Sequence, residues 1–171
     1  MPPRSRLLLI TTFGLGYCRP ASGTWGSLPP AVFAAIMVWL GHSPADGTDL
    51  GMLGWYVPLA LMTVLFSLAC LRDGDLAEHV FYKKDPGQVV ADETAGMALT
   101  LLCCPPAAFG KHGLLAVLAA FLLFRILDIA KPWPAHGIQK LRGGWGVLMD
   151  DLIVGVYAGG LMWGLVALKL L

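Results

Sequence analysis

Five apolar stretches recur along this chain, at Leu28 to Leu40, Met52 to Leu71, Thr94 to Phe109, Leu114 to Ala130 and Val147 to Leu168. A helix needs about 20 predominantly apolar residues to cross the hydrocarbon core of a bilayer. The first stretch is short; the others approach or reach that length. No water is available inside lipid to satisfy backbone N–H and C=O groups, so each stretch must satisfy its own by forming a helix. The expected fold is therefore an all-α integral membrane helical bundle with about five transmembrane helices, a single membrane-embedded domain over residues 1–171. Leu7 to Gly16 is too short to span and contains two glycines, so a short N-terminal re-entrant or interfacial helix is expected there.

Composition agrees. The chain is 57% hydrophobic and only 13% charged, where a soluble domain carries roughly 25% charged residues. A net charge of +1 gives no footing for a nucleic-acid surface. Cys18, Cys70, Cys103 and Cys104 show neither a C-x-x-C pair nor zinc spacing and read as small apolar residues. Arg4 and Arg6 before LLLITTFGLG suggest the start of a signal peptide, yet no small-residue cleavage site follows before the glycine-rich stretch from Cys18 to Ser27.

The distribution of cations orients the bundle. With five spans and the N-terminus in the cytoplasm, the inner side receives Arg4, Arg6, Arg19, Arg72, Lys83, Lys84, Arg125, Lys131, Lys140 and Arg142, and the outer side only Lys111 and Lys169. That is a pronounced positive-inside bias. The same orientation gathers Arg19 to Ser27, Asp92 with Glu93, the Arg125, Asp128 and Lys131 group, and Asp150 with Asp151 at the cytoplasmic ends of spans. Five of the eleven acidic residues thus converge on one membrane surface.

Each group has an ordinary explanation. Acids near a helix N-terminus complement its dipole, which would account for Asp92 and Glu93, or for Asp150 and Asp151, taken singly. Arg125 and Asp128, three apart, can form a structural ion pair, and a lysine at a membrane boundary can simply snorkel. Lys131 precedes Pro132, which biases it out of the helix and ends the span. Two acidic pairs on one side are harder to dismiss, because charges at the edge of a hydrocarbon-length helix are costly unless they face a cavity, a partner or an ion.

Carboxylates with two cations and little else suit a hard metal such as magnesium or calcium. The stretch GLGYCRPASGTWGS adds glycines and the hydroxyls of Ser22, Thr24 and Ser27, fit for an anion-cradling turn ahead of a helix. Asp73-Gly74-Asp75 has the form of a phosphoaspartate D-x-D, but no strand precedes it. The segment DGDLAE lacks the arginine and the later acid that a CDP-alcohol phosphotransferase signature requires, since Glu78 and Ala91 stand there. His42, His79, His112 and His136 have no partner pattern. A cation- or proton-coupled transporter could use the same carboxylates, but it would need polar residues across the whole bilayer, and the outer halves of the spans are nearly free of them.

The motifs GTWGS (Gly23 to Ser27), VADETAGM (Val90 to Met97), FRILDIAKPWP (Phe124 to Pro134) and GGWGVLMDDLIVG (Gly143 to Gly155) together resemble the phosphatidylglycerophosphatase A family, in order and over nearly the whole chain. The resemblance implies a magnesium-dependent enzyme of the bacterial inner membrane, its site facing the cytoplasm, that hydrolyses the lipid phosphatidylglycerophosphate to phosphatidylglycerol and phosphate. The chain departs from the family's pattern at Arg19 and Ser22, at Lys84 and at Gln139, none of which is expected to be essential. On this reading Asp92, Glu93, Asp128, Asp150 and Asp151 supply Mg2+ ligands and a base for water. Arg125 and Lys131 hold phosphate oxygens, with Thr24 and Ser27 assisting. One ion or two, and direct attack by water or an aspartyl-phosphate intermediate, are all compatible with these residues.

Overall fold

The computed structural model describes residues 4–84, 86–135 and 144–171. Among the described residues the regular elements are helices, six of them α: α1 (Arg4–Ile10), α2 (Ser22–Trp39), α3 (Asp49–Phe81), α4 (Ala91–Cys103), α5 (Gly113–Ala130) and α6 (Gly144–Ala167). Asp85, His136, Gln139, Lys140 and Arg142 lie outside the described residues.

Four segments are long and apolar enough to cross a membrane: Ser22–Asp46, Asp49–Phe81, Gly113–Ala130 and Gly144–Ala167. The stretch expected as a fifth continuous span behaves differently. Its helix, α4, has 13 residues, about 20 Å at 1.5 Å per residue, and stops where Cys104 turns extended before Pro105 and Pro106. A residue before proline is driven out of the α region, and the chain resumes as a short 3-10 turn at Pro106–Phe109. The bundle is thus four long helices around a short central one, and α4 is buried along most of its length.

Helix α3 differs in the other direction. It was expected over Met52 to Leu71 but runs for 33 residues, about 50 Å, because Asp73, Gly74 and Ala77 continue its buried face. Ala77 and Cys70 pack there with Ile10, Val89, Ala91 and Leu148. The N-terminal segment does not span. After the seven residues of α1 the chain reverses through Thr12, Phe13 and Gly14, all at positive φ, and the Val90 N–H donates to the Ile10 carbonyl at 3.1 Å.

Two local devices hold α4 in place. Helix α2 contains Pro29 and Pro30, and Pro30 has no N–H to offer the Gly26 carbonyl one turn back. The Thr94 hydroxyl of α4 donates to that carbonyl instead, at 2.7 Å, and also meets the Thr12 hydroxyl at 2.8 Å. Against α6 the contact is backbone on backbone. A Cβ on Gly155 would lie 2.6 Å from the Gly96 carbonyl oxygen, and one on Gly96 would lie 2.8 Å from that of Asp151. A Cβ on Gly159 would strike Cys103. Small residues at such a seam let helices approach where lipid offers no hydrophobic drive for association. The seam also fixes the register that sets Asp151 beside the first turn of α4.

Candidate functional site

The N-terminal ends of α2, α4 and α6 meet the C-terminal end of α5, and the sequence-expected acids all lie at that meeting point. Asp92 and Glu93 occupy the first turn of α4. Asp128 belongs to the last turn of α5, and Asp150 and Asp151 stand two turns into α6. Asp92, Asp128, Asp150 and Asp151 are all buried, the last two to 1% and 2% exposure.

The two adjacent aspartates face different partners, as their angular separation of about 100° on a helix requires. Asp151 joins Asp92 and Glu93 in a trio whose carboxylate oxygens lie within 4.8 Å of one another. Its carboxyl is also in hydrogen-bonding reach of Asp128, as that of Glu93 is of Asp92. The Asp150 carboxylate accepts instead from Lys131 Nζ at 2.6 Å. Lys131 is brought there by its backbone: at φ 45° it caps α5 in the left-handed region just before Pro132. Burial alone would lower the Lys131 pKa, but the Asp150 hydrogen bond and charge, with Asp151 and Asp128 behind it, outweigh this and leave it above the ordinary lysine value.

Arg125 Nη1 pairs with Asp128 at 2.7 Å and donates to the Ser27 hydroxyl at 3.4 Å. Ser27 in turn donates to the Gly23 carbonyl at 2.8 Å. Thr24 is half-buried on the first turn of α2, and only its backbone N–H is engaged, on the Ala21 carbonyl. The structure therefore brings together eight of the nine expected residues, and among the described residues Thr24 has no side-chain hydrogen bond. Of the histidines, His79 bonds the Asp75 carbonyl within its own helix.

Gly23 has a larger part than a turn-former. A Cβ there would collide with Glu93 Oε1 and lie 3.0 and 3.1 Å from the two terminal nitrogens of Arg125. Only glycine leaves room for the acid and the guanidinium to stand side by side. Thr94 and Thr12, which anchor the first turn of α4, carried no chemical motif. The available signal was Pro30, which announces a carbonyl in need of another donor.

Chemically, five carboxylates outnumber the two cations by three charges, and both cations are already paired. Like charges about 4 Å apart repel by roughly 4 kcal/mol at an effective dielectric near 20. Among the described residues, Glu93 Oε2 and Asp151 Oδ2 are buried without a hydrogen-bond partner, which is costly unless something else compensates them. An all-oxygen donor set with such orphaned atoms fits a hard divalent cation.

Comparison with known proteins bears on the family. The family model described as phosphatidylglycerophosphatase A matches residues 8–166. A phosphatidylglycerophosphatase A of Haemophilus influenzae is 33% identical over 88% of this chain and 82% of its own length. The Escherichia coli protein of that name is 29% identical over 91% and 80%. A putative phosphatidylinositol-3-phosphatase of Bacteroides thetaiotaomicron is 34% identical over 89% and 87%. No solved structure matches significantly. With the family model covering all but the two ends, and the four sequence motifs meeting at one carboxylate centre, the chain belongs to the phosphatidylglycerophosphatase A family.

Proposed function

We propose that this protein hydrolyses phosphatidylglycerophosphate to phosphatidylglycerol and inorganic phosphate, with a divalent cation, at the cytoplasmic face of a bacterial inner membrane. The observation that carries the proposal is the convergence of Asp92, Glu93 and Asp151 from two helices, with Glu93 Oε2 and Asp151 Oδ2 buried and unsatisfied among the described residues. These three would hold magnesium, with Asp128 and Asp150 close behind them. The ion would supply charge neutralisation and polarise phosphoryl oxygens.

The chain's own groups account for the remainder. Hydrolysis of a phosphomonoester adds water across the P–O bond to the glycerol oxygen. A carboxylate of the cluster takes the water proton, and the leaving glycerol oxygen regains one. Phosphoryl transfer depends mainly on positioning and electrostatics. Arg125, fixed by Asp128 and Ser27, and Lys131, fixed by Asp150, provide oriented donors for phosphate oxygens. The large apolar side chains exposed along the helices, such as Leu61, Leu68, Leu118 and Ile126, leave the acyl chains free to stay in the bilayer. A transporter reading gains no support: among the described residues a single group of three acids converges, at one end of the bundle.

Purified protein is expected to release phosphate from phosphatidylglycerophosphate in preference to phosphatidate and phosphatidylinositol 3-phosphate. Preference for the inositol lipid would move the assignment towards the activity named for the Bacteroides relative. For the membrane face, in a chain whose native cysteines are replaced, Gln88→Cys should resist an impermeant thiol reagent in intact cells while Thr48→Cys is labelled. The reverse pattern would put the chemistry on the outer surface.

A further inference from the structure

Beside the carboxylate centre lies a groove of about 640 Å³ whose lining includes Tyr17, Arg19, Ser22, Lys83, Gly87 and Gln88. Two chain segments clamped against each other form its walls. Gly16 packs so tightly on the Gln88 carbonyl that no Cβ fits between them, and the Tyr17 ring meets Phe81 edge-on at 6.3 Å. A Cβ on Gly87 would sit 3.6 Å from the Ser22 hydroxyl, so the walls also touch at the start of α2. Ser22 lines the groove, and the next residue, Gly23, abuts Glu93 and Arg125 in the carboxylate centre. The two sites are therefore neighbours across one turn of helix.

Charge gives the groove its meaning. Inside the carboxylate centre Arg125 and Lys131 are committed to Asp128 and Asp150. Arg19 and Lys83 form no ion pair among the described residues and are exposed in the groove. The substrate proposed above bears two phosphates joined by one glycerol: a terminal monoester that is cleaved and a diester that is kept. We infer that the groove is the binding site for the retained phosphodiester, with Arg19 and Lys83 as its cationic contacts and the Ser22 hydroxyl as a hydrogen-bond donor. This rests on the proposed lipid phosphatase reading, and it makes the groove the element that separates a two-phosphate lipid from a lipid with a monoester alone.

The test is steady-state kinetics of Arg19→Gln/Lys83→Gln in non-ionic detergent, at low and high salt. Phosphatidylglycerophosphate is the substrate; phosphatidate is used as substrate or, without turnover, as competitive inhibitor. Two exposed charge contacts predict a KM for phosphatidylglycerophosphate raised about five- to tenfold, with kcat within about twofold. Salt should raise KM in the parental protein by screening and raise it less in the double variant, and Arg19→Lys/Lys83→Arg should behave as the parent. An unchanged KM, or a loss confined to kcat, overturns the inference. An equal change for phosphatidate, which has no diester, overturns it too by giving the groove to some other anion. Failure of the parent to hydrolyse phosphatidylglycerophosphate would instead strike the reading beneath it.

Discussion

Asp151→Asn is expected to lower phosphate release by roughly 10³-fold, the scale on which loss of a preorganised charge at a reacting centre is felt. The substitution keeps shape and removes the charge that Asp151 shares with Asp92 and Glu93. Its neighbour should behave differently. Asp150→Asn leaves the trio intact and removes the partner of Lys131, so activity should fall only about 10- to 100-fold, as when a group that orients a ligand is lost. Breaking a fully buried ion pair costs about 3–5 kcal/mol. Here the Lys131 side chain is 26% exposed, so water can solvate the stranded ammonium and the loss of stability should be smaller. Rate, magnesium affinity and thermal midpoint of both variants check this. Parental activity in Asp151→Asn would reduce the residue to a helix-dipole partner.

Gly23→Ala should lower activity by about 10²-fold, the effect of displacing reacting groups by about 1 Å, without unfolding the protein. Glycine to alanine within a helix ordinarily gains up to about 1 kcal/mol, so propensity and activity are expected to move in opposite directions. The new methyl would displace Glu93 or Arg125. Gly26→Ala offers a contrast, since its Cβ would press on Val90 at 2.6 Å and not on a charged group; its main cost should be stability. Gly160→Ala, inside α6 with nothing within 4 Å of the new methyl, should leave activity as it is and stability equal or slightly higher. Equal activity in Gly23→Ala and Gly160→Ala would mean that the close approach at Gly23 has no bearing on the chemistry.

Hydropathy reveals which stretches cross a membrane, and charge bias groups the chemical residues at one end; both patterns are written locally. The carboxylates were legible for that reason: each sits in a polar interruption of an apolar run. What local pattern cannot supply is the depth of α4. Its apolar stretch reads as a span, and only the tandem Pro105 and Pro106, with the glycine seam to α6, make it a short helix inside four longer ones. The extension of α3 to Phe81 was hidden because its buried face there is made of Asp73, Gly74 and Ala77, polar or small residues that form no apolar run. Partner choice was also out of reach. Arg125, Asp128 and Lys131 share a spacing, yet Lys131 leaves the helix in the left-handed region and joins Asp150, nineteen positions away.

The carboxylate centre is expected to act on a lipid phosphate only when its excess negative charge is offset by a divalent cation. The most direct measurement is phosphate release from phosphatidylglycerophosphate by the purified protein after exhaustive chelation, followed by titration with magnesium. Turnover should vanish on chelation and return with magnesium in the parental protein. Full activity in the chelated protein would contradict the account.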